Sequence, residues 1–116
     1  SDLSAAKDPI HFTTAPADAI SKLLSKTNLT ISDIDIFEIN EAFAVVSLAI
    51  NKLLNLDINK VNQNGGAIAL GHPIGASGAR ILTTLIYEME RKNLEYGIAS
   101  LCIGGGEASA ILIKKL

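Results

Sequence analysis

Three polar residues with chemically useful side chains stand where the backbone has few choices. Cys102 ends an apolar segment and is followed, one residue later, by three glycines whose N–H groups could converge on an anionic oxygen. His72 lies between a glycine and a proline, so its imidazole can be aimed. Asn40 directly follows a β-rich segment. Together they could bring a thiol, an imidazole and hydrogen-bond donors to one site.

Each of these residues also has an ordinary structural interpretation. A single histidine in a turn is usually just exposed or hydrogen-bonded, and a lone buried cysteine is usually a small core residue. An asparagine at a strand end is a routine helix cap, and three glycines are by themselves a weak signal. Topology decides between the interpretations, because α/β sheets gather distant residues at the carboxyl edge of their strands.

Apolar residues recur with a helical period in three segments, residues 16–26, 40–55 and 75–92. Asn40 is expected to cap the second helix and Glu41 to lie in its first turn. This helix is apolar on nearly all sides, which predicts that it is buried. The third helix is expected to bury one face, formed by Ala79, Leu82, Ile86 and Met89.

Strand-forming residues are concentrated in residues 34–39, 96–103 and 108–114. The link between the last two is short enough for an antiparallel hairpin, and Val61 is expected in a further short strand. Residues 62–77 form the longest irregular stretch. The alternation of helices and strands predicts one α/β domain with three layers, α-β-α, around a mixed, mostly parallel sheet.

Composition excludes several classes of function. The 116 residues carry a formal net charge of −2, so no basic surface is expected for nucleic acid or an anionic membrane. A single cysteine rules out an intrachain disulfide and favours a reducing, cytoplasmic compartment. No export signal and no apolar run of about 18 residues is present in this sequence, so no membrane span is expected.

Three blocks, in this order and spacing, resemble the thiolase family. They are Asn40-Glu41-Ala42-Phe43, the run from Asn64 to Arg80 that contains Gly71-His72-Pro73-Ile74-Gly75, and Cys102-Ile103-Gly104-Gly105-Gly106. The resemblance implies that residues 1–116 are the C-terminal core domain, with about five strands and a first strand cut short within residues 1–6. It also implies an enzyme that joins two acetyl-CoA molecules into acetoacetyl-CoA and CoA, or catalyses the reverse thiolysis.

The resemblance assigns a role to each candidate residue. Cys102 would be the acid/base that deprotonates the second acetyl-CoA. His72 would help activate a nucleophilic cysteine and present a ring N–H to the thioester oxygen, with Asn40 fixing a water beside it. The backbone N–H of Gly104 would contribute to a second oxyanion hole.

Two phenylalanines, Phe43 and Phe12, match positions that line the acyl and pantetheine pocket of the family. The resemblance implies no metal and no redox cofactor, since coenzyme A thioesters are the substrates. The family's nucleophile is a second cysteine in an N-terminal thiolase domain, and this sequence has only Cys102. The chain by itself is therefore expected to be inactive, and the intact enzyme is expected to be a homo-oligomer.

Two alternatives stay open. One is a related thiolase that degrades longer 3-ketoacyl-CoA substrates, although the block from Gly71 to Arg80 favours the biosynthetic group. The other is a stand-alone, non-catalytic CoA-binding domain. The presence of Asn40, His72 and Cys102 together argues against that second alternative, because binding alone does not require a catalytic thiol.

Overall fold

The structure is a computed structural model that describes residues 1–3 and 7–116. Its strands and helices alternate along most of the chain, and short 3-10 turns connect some of them. The strands are β1 (Asp2–Leu3), β2 (Ile36–Ile39), β3 (Tyr96–Ile103) and β4 (Glu107–Lys114). The helices are α1 (Ala15–Ser25), α2 (Ala44–Leu54), α3 (Ala67–Leu70) and α4 (Ser77–Lys92).

The strands form one mixed sheet in the order β1-β4-β3-β2. The predicted hairpin of β3 and β4 is confirmed, with Tyr96 opposite Lys114 and Ile103 opposite Glu107. Strand β2 runs parallel to β3, and Val61 adds an isolated parallel bridge to Phe37.

The described residues contain four strands, whereas about five were expected. The prediction that the sheet is mostly parallel is wrong, because two of the three strand pairs are antiparallel. The turn from β3 into β4 is too short for a crossover, so β4 must run antiparallel, and β1 pairs antiparallel with β4 at the edge. The rest of the predicted first strand, residues 4–6, lies outside the described residues.

Helices cover both faces of the sheet, which confirms the three-layer architecture. Because side chains alternate along a strand, Phe37 of β2 packs on one face with α1 and α2, whereas Ile36 packs on the other with α4. The α4 face of the core contains Ile81, Leu85 and Met89. No helix in the described part of the chain is long and apolar enough to cross a membrane.

The buried face of α4 differs from the predicted one. Leu85 is fully buried and Ile81 nearly so, whereas Ile86 is 38% exposed and Ala79 is exposed. Of the four residues expected on the buried face, Met89 lies in the core. Helix α4 carries two apolar stripes, one with Ile81 and Leu85 and one with Leu82 and Ile86, each residue of the second lying one position after its counterpart in the first. The helical period alone does not determine which of these stripes faces the sheet.

Helix α2 also departs from its prediction. It begins at Ala44 with Phe43 at the N-cap, so Asn40 does not cap it and Glu41 lies before its first turn. Only Val46 and Ile50 of this helix are buried, while Val45 and Leu48 are more than half exposed. The expectation of a buried helix is therefore wrong within the described residues.

Candidate active site

The parallel pairing of β2 with β3 brings Asn40 and Cys102 to the same edge of the sheet. Asn40 follows the last residue of β2, and its backbone N–H donates to the carbonyl of Ser100 at 2.9 Å, which extends the pairing beyond the strand. The Asn40 side chain is completely buried. Cys102 lies near the end of β3, opposite Ala108 of β4. The predicted convergence at the carboxyl edge is thus present in the fold.

A polar clamp fixes the loop that carries His72 to this edge. The side-chain amide of Asn62 pairs with the backbone of Ile39, accepting from its N–H and donating to its carbonyl, both at 2.8 Å. The Glu41 carboxylate accepts from Asn62 Nδ2 at 3.2 Å and from the Ile68 backbone N–H at 3.1 Å. Glu41 therefore holds the loop against the end of β2 instead of stabilising the start of α2.

Glycine is required where this clamp closes. A Cβ at Gly66 would lie 2.3 Å from the carboxyl carbon of Glu41, far inside van der Waals contact. The absence of a side chain at Gly66 lets the carboxylate reach the N–H of Ile68 across the loop. Helix α3 and His72 follow Gly66 within six residues of the chain.

Both ring nitrogens of His72 have a neighbour. Nε2 is 3.4 Å from Nδ2 of Asn40, which brings together two residues 32 positions apart. Nδ1 is 2.5 Å from the hydroxyl oxygen of Ser77, the first residue of α4. The same hydroxyl lies 3.1 Å from the carbonyl oxygen of Pro73. His72 is therefore held between the end of β2 and the start of α4.

A pocket of about 410 Å³ opens at this edge of the sheet. Five predicted site residues lie in its wall, and Asn40 reaches it through its contact with His72. The phenyl rings of Phe12 and Phe43 meet edge to face, with centroids 6.0 Å apart. The lining residues are Phe12, Ala42, Phe43, His72, Ile74, Leu101, Cys102, Ile103 and Gly104.

The thiol of Cys102 is half-buried in this mostly apolar wall. Burial raises the pKa of the Cys102 thiol above its ordinary value, because the thiolate loses hydration that the apolar surroundings do not replace. The thiol is accordingly protonated at neutral pH. A protonated thiol in the wall of a pocket can act first as an acid, and as a base once it has given up its proton.

The three glycines of the turn after Cys102 differ in whether the structure would tolerate a side chain at their position. Gly105 and Gly106 have φ of +102° and +87°, a region that side chains disfavour. A Cβ at Gly106 would also lie 2.3 Å from the carbonyl oxygen of Lys7. Gly104 has neither constraint, and a Cβ there would meet no atom within 4 Å. Its bare backbone lies in the pocket wall, open to a ligand.

Two residues before Asn40 on β2, the carboxylate of Glu38 is buried against Arg80 of α4. Arg80 Nη1 donates to Glu38 Oε2 at 3.3 Å, while Oε1 of Glu38 and Nη2 of Arg80 are buried without a hydrogen-bond partner. Burial raises the pKa of Glu38 to about 7, although the Arg80 guanidinium opposes the rise. Glu38 and Asn40 point to the same side of β2 because strand residues alternate.

Among residues 1–3 and 7–116, no group of three or more His, Cys, Asp or Glu side chains is placed to hold a metal ion. The polar groups of the pocket wall are instead a thiol, an imidazole and a backbone N–H. These groups transfer protons and donate hydrogen bonds.

Sequence patterns did not identify Ser77, Asn62 or the role of Glu41. The single signal for Ser77 is its position five residues after His72, at the start of a helix. Asn62 adopts a positive φ of 46°, which asparagine tolerates, but its pairing with Ile39 spans 23 positions. Such contacts become visible only when the chain is folded.

Comparisons with known proteins identify the family. The family model described as thiolase, C-terminal domain, matches residues 1–115. The chain is 56% identical over 108 residues to a probable acetyl-CoA acetyltransferase of Dictyostelium discoideum, covering 93% of this chain and 26% of that protein. The chain belongs to the thiolase family and corresponds to its C-terminal domain.

Solved structures agree with this assignment. The crystal structure of Acat5 thiolase from Ascaris suum in complex with coenzyme A is 52% identical, with a TM-score of 0.92 over 99% of this chain and 29% of that chain. Human mitochondrial 3-ketoacyl-CoA thiolase is 46% identical, with a TM-score of 0.95 and the same coverage. The chain thus spans less than a third of the length of these relatives.

Proposed function

We propose that residues 1–116 supply the acid/base half of a thiolase active site that acts on coenzyme A thioesters. The reaction is the condensation of two acetyl-CoA molecules to acetoacetyl-CoA and CoA, or its reverse. The observation that carries the proposal is one pocket whose wall combines the Cys102 thiol, the His72 imidazole and the Gly104 backbone. The proposal is supported by the similarity to a probable acetyl-CoA acetyltransferase of Dictyostelium discoideum and to the Ascaris suum thiolase solved with coenzyme A.

Cys102 moves the protons in this proposal. Its raised pKa keeps the thiol protonated at rest, so it can give its proton to the departing CoA thiolate in the first half-reaction. The Cys102 thiolate that remains is then the base that removes a proton from the methyl carbon of the second acetyl-CoA. The apolar wall raises the basicity of that thiolate, which favours abstraction of a carbon-bound proton.

The developing negative charge falls on the thioester oxygen, where hydrogen-bond donors are most effective. His72 donates from Nε2 once it is protonated, and Asn40, 3.4 Å away, fixes a water beside it. Gly104 contributes its backbone N–H to a second oxyanion hole, and its open position in the pocket wall supports that role. Removal of one such donor costs other enzymes about 100- to 1,000-fold in rate.

Phe12 and Phe43 shape the apolar side of the pocket and contact the acyl or pantetheine chain. Their edge-to-face contact forms one apolar side of the pocket that His72 also lines. The second candidate, cleavage of longer 3-ketoacyl-CoA substrates, is favoured by the 46% identity with human mitochondrial 3-ketoacyl-CoA thiolase. Rates of thiolysis with acetoacetyl-CoA and with a longer homologue would separate the two reactions.

The acyl group is carried by a nucleophilic cysteine that lies outside residues 1–116. The proposal therefore includes an N-terminal thiolase domain as partner, a homo-oligomer, a cytoplasmic location, and neither a metal nor a redox cofactor. Residues 1–116 alone are proposed to be inactive. Calorimetry with CoA separates this proposal from the stand-alone alternative. Tight binding of CoA by residues 1–116 alone would favour the non-catalytic CoA-binding domain.

The central test uses the full-length polypeptide with Cys102→Ser. We expect labelled acetyl transfer from acetyl-CoA to the enzyme to continue at a modestly reduced rate, because a CoA thiolate can depart without a proton. Condensation, which needs a base for a carbon-bound proton, is expected to fall about 100- to 10,000-fold, the usual contribution of acid/base catalysis. Cys102→Ala is the matched control, because it removes the thiol without leaving a hydroxyl. Equal loss of both half-reactions in Cys102→Ser would rule out the proposed role of Cys102.

A further inference from the structure

Ser77 is a buried hydroxyl to which the proposed function gives no role. It is 1% exposed and is the first residue of α4. Its Oγ lies 2.5 Å from His72 Nδ1 and 3.1 Å from the carbonyl oxygen of Pro73. The N-cap of α4 is Ala76, and no side-chain cap bond is made there. The hydroxyl of Ser77 therefore links the imidazole to the turn that precedes α4.

The two contacts of this hydroxyl determine where its proton lies. A serine hydroxyl has one hydrogen to donate and lone pairs to accept. The carbonyl of Pro73 can only accept, and it accepts from the backbone N–H groups of Ala76 and Ser77 as well as from the Ser77 hydroxyl at 3.1 Å. The Ser77 oxygen is then an acceptor toward His72, and the hydrogen between them must belong to Nδ1 of the imidazole.

The other ring nitrogen supports the same assignment. A neutral imidazole with its hydrogen on Nδ1 has a lone pair on Nε2. Nδ2 of Asn40, an amide donor, lies 3.4 Å from Nε2. This contact is long, so an incoming thiol can replace it without breaking a strong hydrogen bond. The neighbours of the ring on β2 and on α4 are thus both compatible with a lone pair on Nε2.

We propose that Ser77 is a positioning residue that holds His72 in the Nδ1–H tautomer, so that Nε2 enters the reaction as a base. This inference rests on the proposed function. The S–H bond of the nucleophilic cysteine breaks, its proton forms a bond with Nε2, and its electron pair stays on sulfur, which attacks the thioester carbon. The Nε2–H formed in that step then donates to the thioester oxygen, so one nitrogen is base first and donor second.

The hydroxyl also stabilises the imidazolium that this proton transfer creates. Ser77 accepts from Nδ1–H both before and after Nε2 is protonated, so neither ring nor hydroxyl has to rotate during the step. The opposite tautomer would present Nε2–H to the cysteine and could not accept its proton. In the serine protease triad, where a carboxylate fixes the histidine tautomer, a wrong tautomer lowers kcat by about 10,000-fold.

The experiment measures the ring nitrogens of His72 by ¹⁵N NMR in the full-length polypeptide, with a His72 variant to assign the signals. We expect the neutral ring to carry its hydrogen on Nδ1 in the wild type and to become a mixture of tautomers in Ser77→Ala. Ser77→Thr keeps a hydroxyl and is expected to keep the Nδ1–H tautomer. Thr83→Ala removes an exposed hydroxyl from the same helix and is the matched control.

Kinetics provide the second readout. For Ser77→Ala we expect kcat of enzyme acylation to fall about 10- to 100-fold, with KM little changed; metal-binding histidines show losses of this size when the hydrogen bond that orients their ring is removed. Ser77→Thr is expected to restore most of the rate and Thr83→Ala to leave it unchanged. A wild-type ring with its hydrogen on Nε2, or a Ser77→Ala protein with unchanged tautomer and rate, would overturn the inference.

The two proposals fail in distinguishable ways. If the wild-type polypeptide does not transfer acetyl groups, the proposed function fails, while the NMR spectrum still reports the tautomer. If it is active but its Nδ1 is unprotonated in the neutral ring, the role of Ser77 fails and the proposed function stands. Should Ser77→Ala fail to fold, the wild type and Ser77→Thr still decide the tautomer.

Discussion

Substitution of Glu38 by glutamine is predicted to remove a pH dependence from the stability of the fold. Glu38 is fully buried, and its pKa is raised from 4.5 to about 7, chiefly by burial. Each pH unit between the two values corresponds to about 1.4 kcal/mol. Ionisation of Glu38 therefore costs the folded protein about 3 kcal/mol by pH 8.

The sign follows from proton binding. Between pH 4.5 and 7 the folded state keeps a proton on Glu38 that the unfolded state has released, so the free energy of unfolding falls as pH rises. Asp2 and Glu88 behave in the opposite way, because nearby lysine and arginine groups lower the pKa of each carboxyl to about 2. Their stabilisation is lost only as pH falls below about 4, outside the window of Glu38.

The assay is urea unfolding followed by circular dichroism at pH 5, 6, 7 and 8. We expect the wild type to lose about 2 to 3 kcal/mol relative to Glu38→Gln between pH 5 and 8. The difference between the unfolding free energies of the wild type and Glu38→Gln isolates the contribution of Glu38, because both proteins keep the same histidines. Glu90→Gln removes an exposed carboxylate from α4 and is expected to follow the wild type. Parallel pH profiles of the wild type and Glu38→Gln would refute the reasoning.

Two further predictions test the packing of the domain. Leu85→Ala is expected to lower the free energy of unfolding by about 2 to 5 kcal/mol, because Leu85 is fully buried. Ile86→Ala should lower it by much less, because the Ile86 side chain is 38% exposed. Equal losses in urea unfolding would contradict the assignment of the Leu85 face of α4 to the core. Gly66→Ala is expected to displace Glu41 and to reduce condensation activity, because the new Cβ would lie 2.3 Å from the carboxyl carbon of Glu41. In the control, Gly78→Ala, the new Cβ meets no atom within 4 Å, and activity should be retained. Full activity of Gly66→Ala would show that the clamp does not position His72.

Several elements were predictable because their signals are local. The glycine turn between two β-rich segments predicts the hairpin of β3 and β4, and the structure pairs them from Tyr96 to Lys114. The helix over residues 16–26 is found at Ala15–Ser25, because its apolar stripe and its proline at the first turn are both encoded within one segment. Neither prediction required knowledge of what these elements pack against.

The helix faces were not predictable, because they depend on a partner surface. Helix α4 has apolar residues on two sides, and only its contact with β2 and β3 selects Ile81 and Leu85 over Leu82 and Ile86. Helix α2 is apolar on most sides, yet among the described residues it buries only Val46 and Ile50, with Leu54 packed partly buried against the core. The period of the apolar residues predicts that a helix has an apolar face, whereas tertiary packing decides which face is buried.

The sequence by itself determined which residues could carry the chemistry, because Asn40, His72, Cys102 and Gly104 stand in blocks whose residue types and spacing resemble one family. Only the tertiary structure placed His72 against Asn40, 32 positions away, and turned Glu41 from an expected helix-end residue into a clamp on the loop. It alone also set Ser77 beside Nδ1 of His72. The physical reason is that local spacing fixes backbone conformation, whereas the location of a proton depends on which donors and acceptors meet in space.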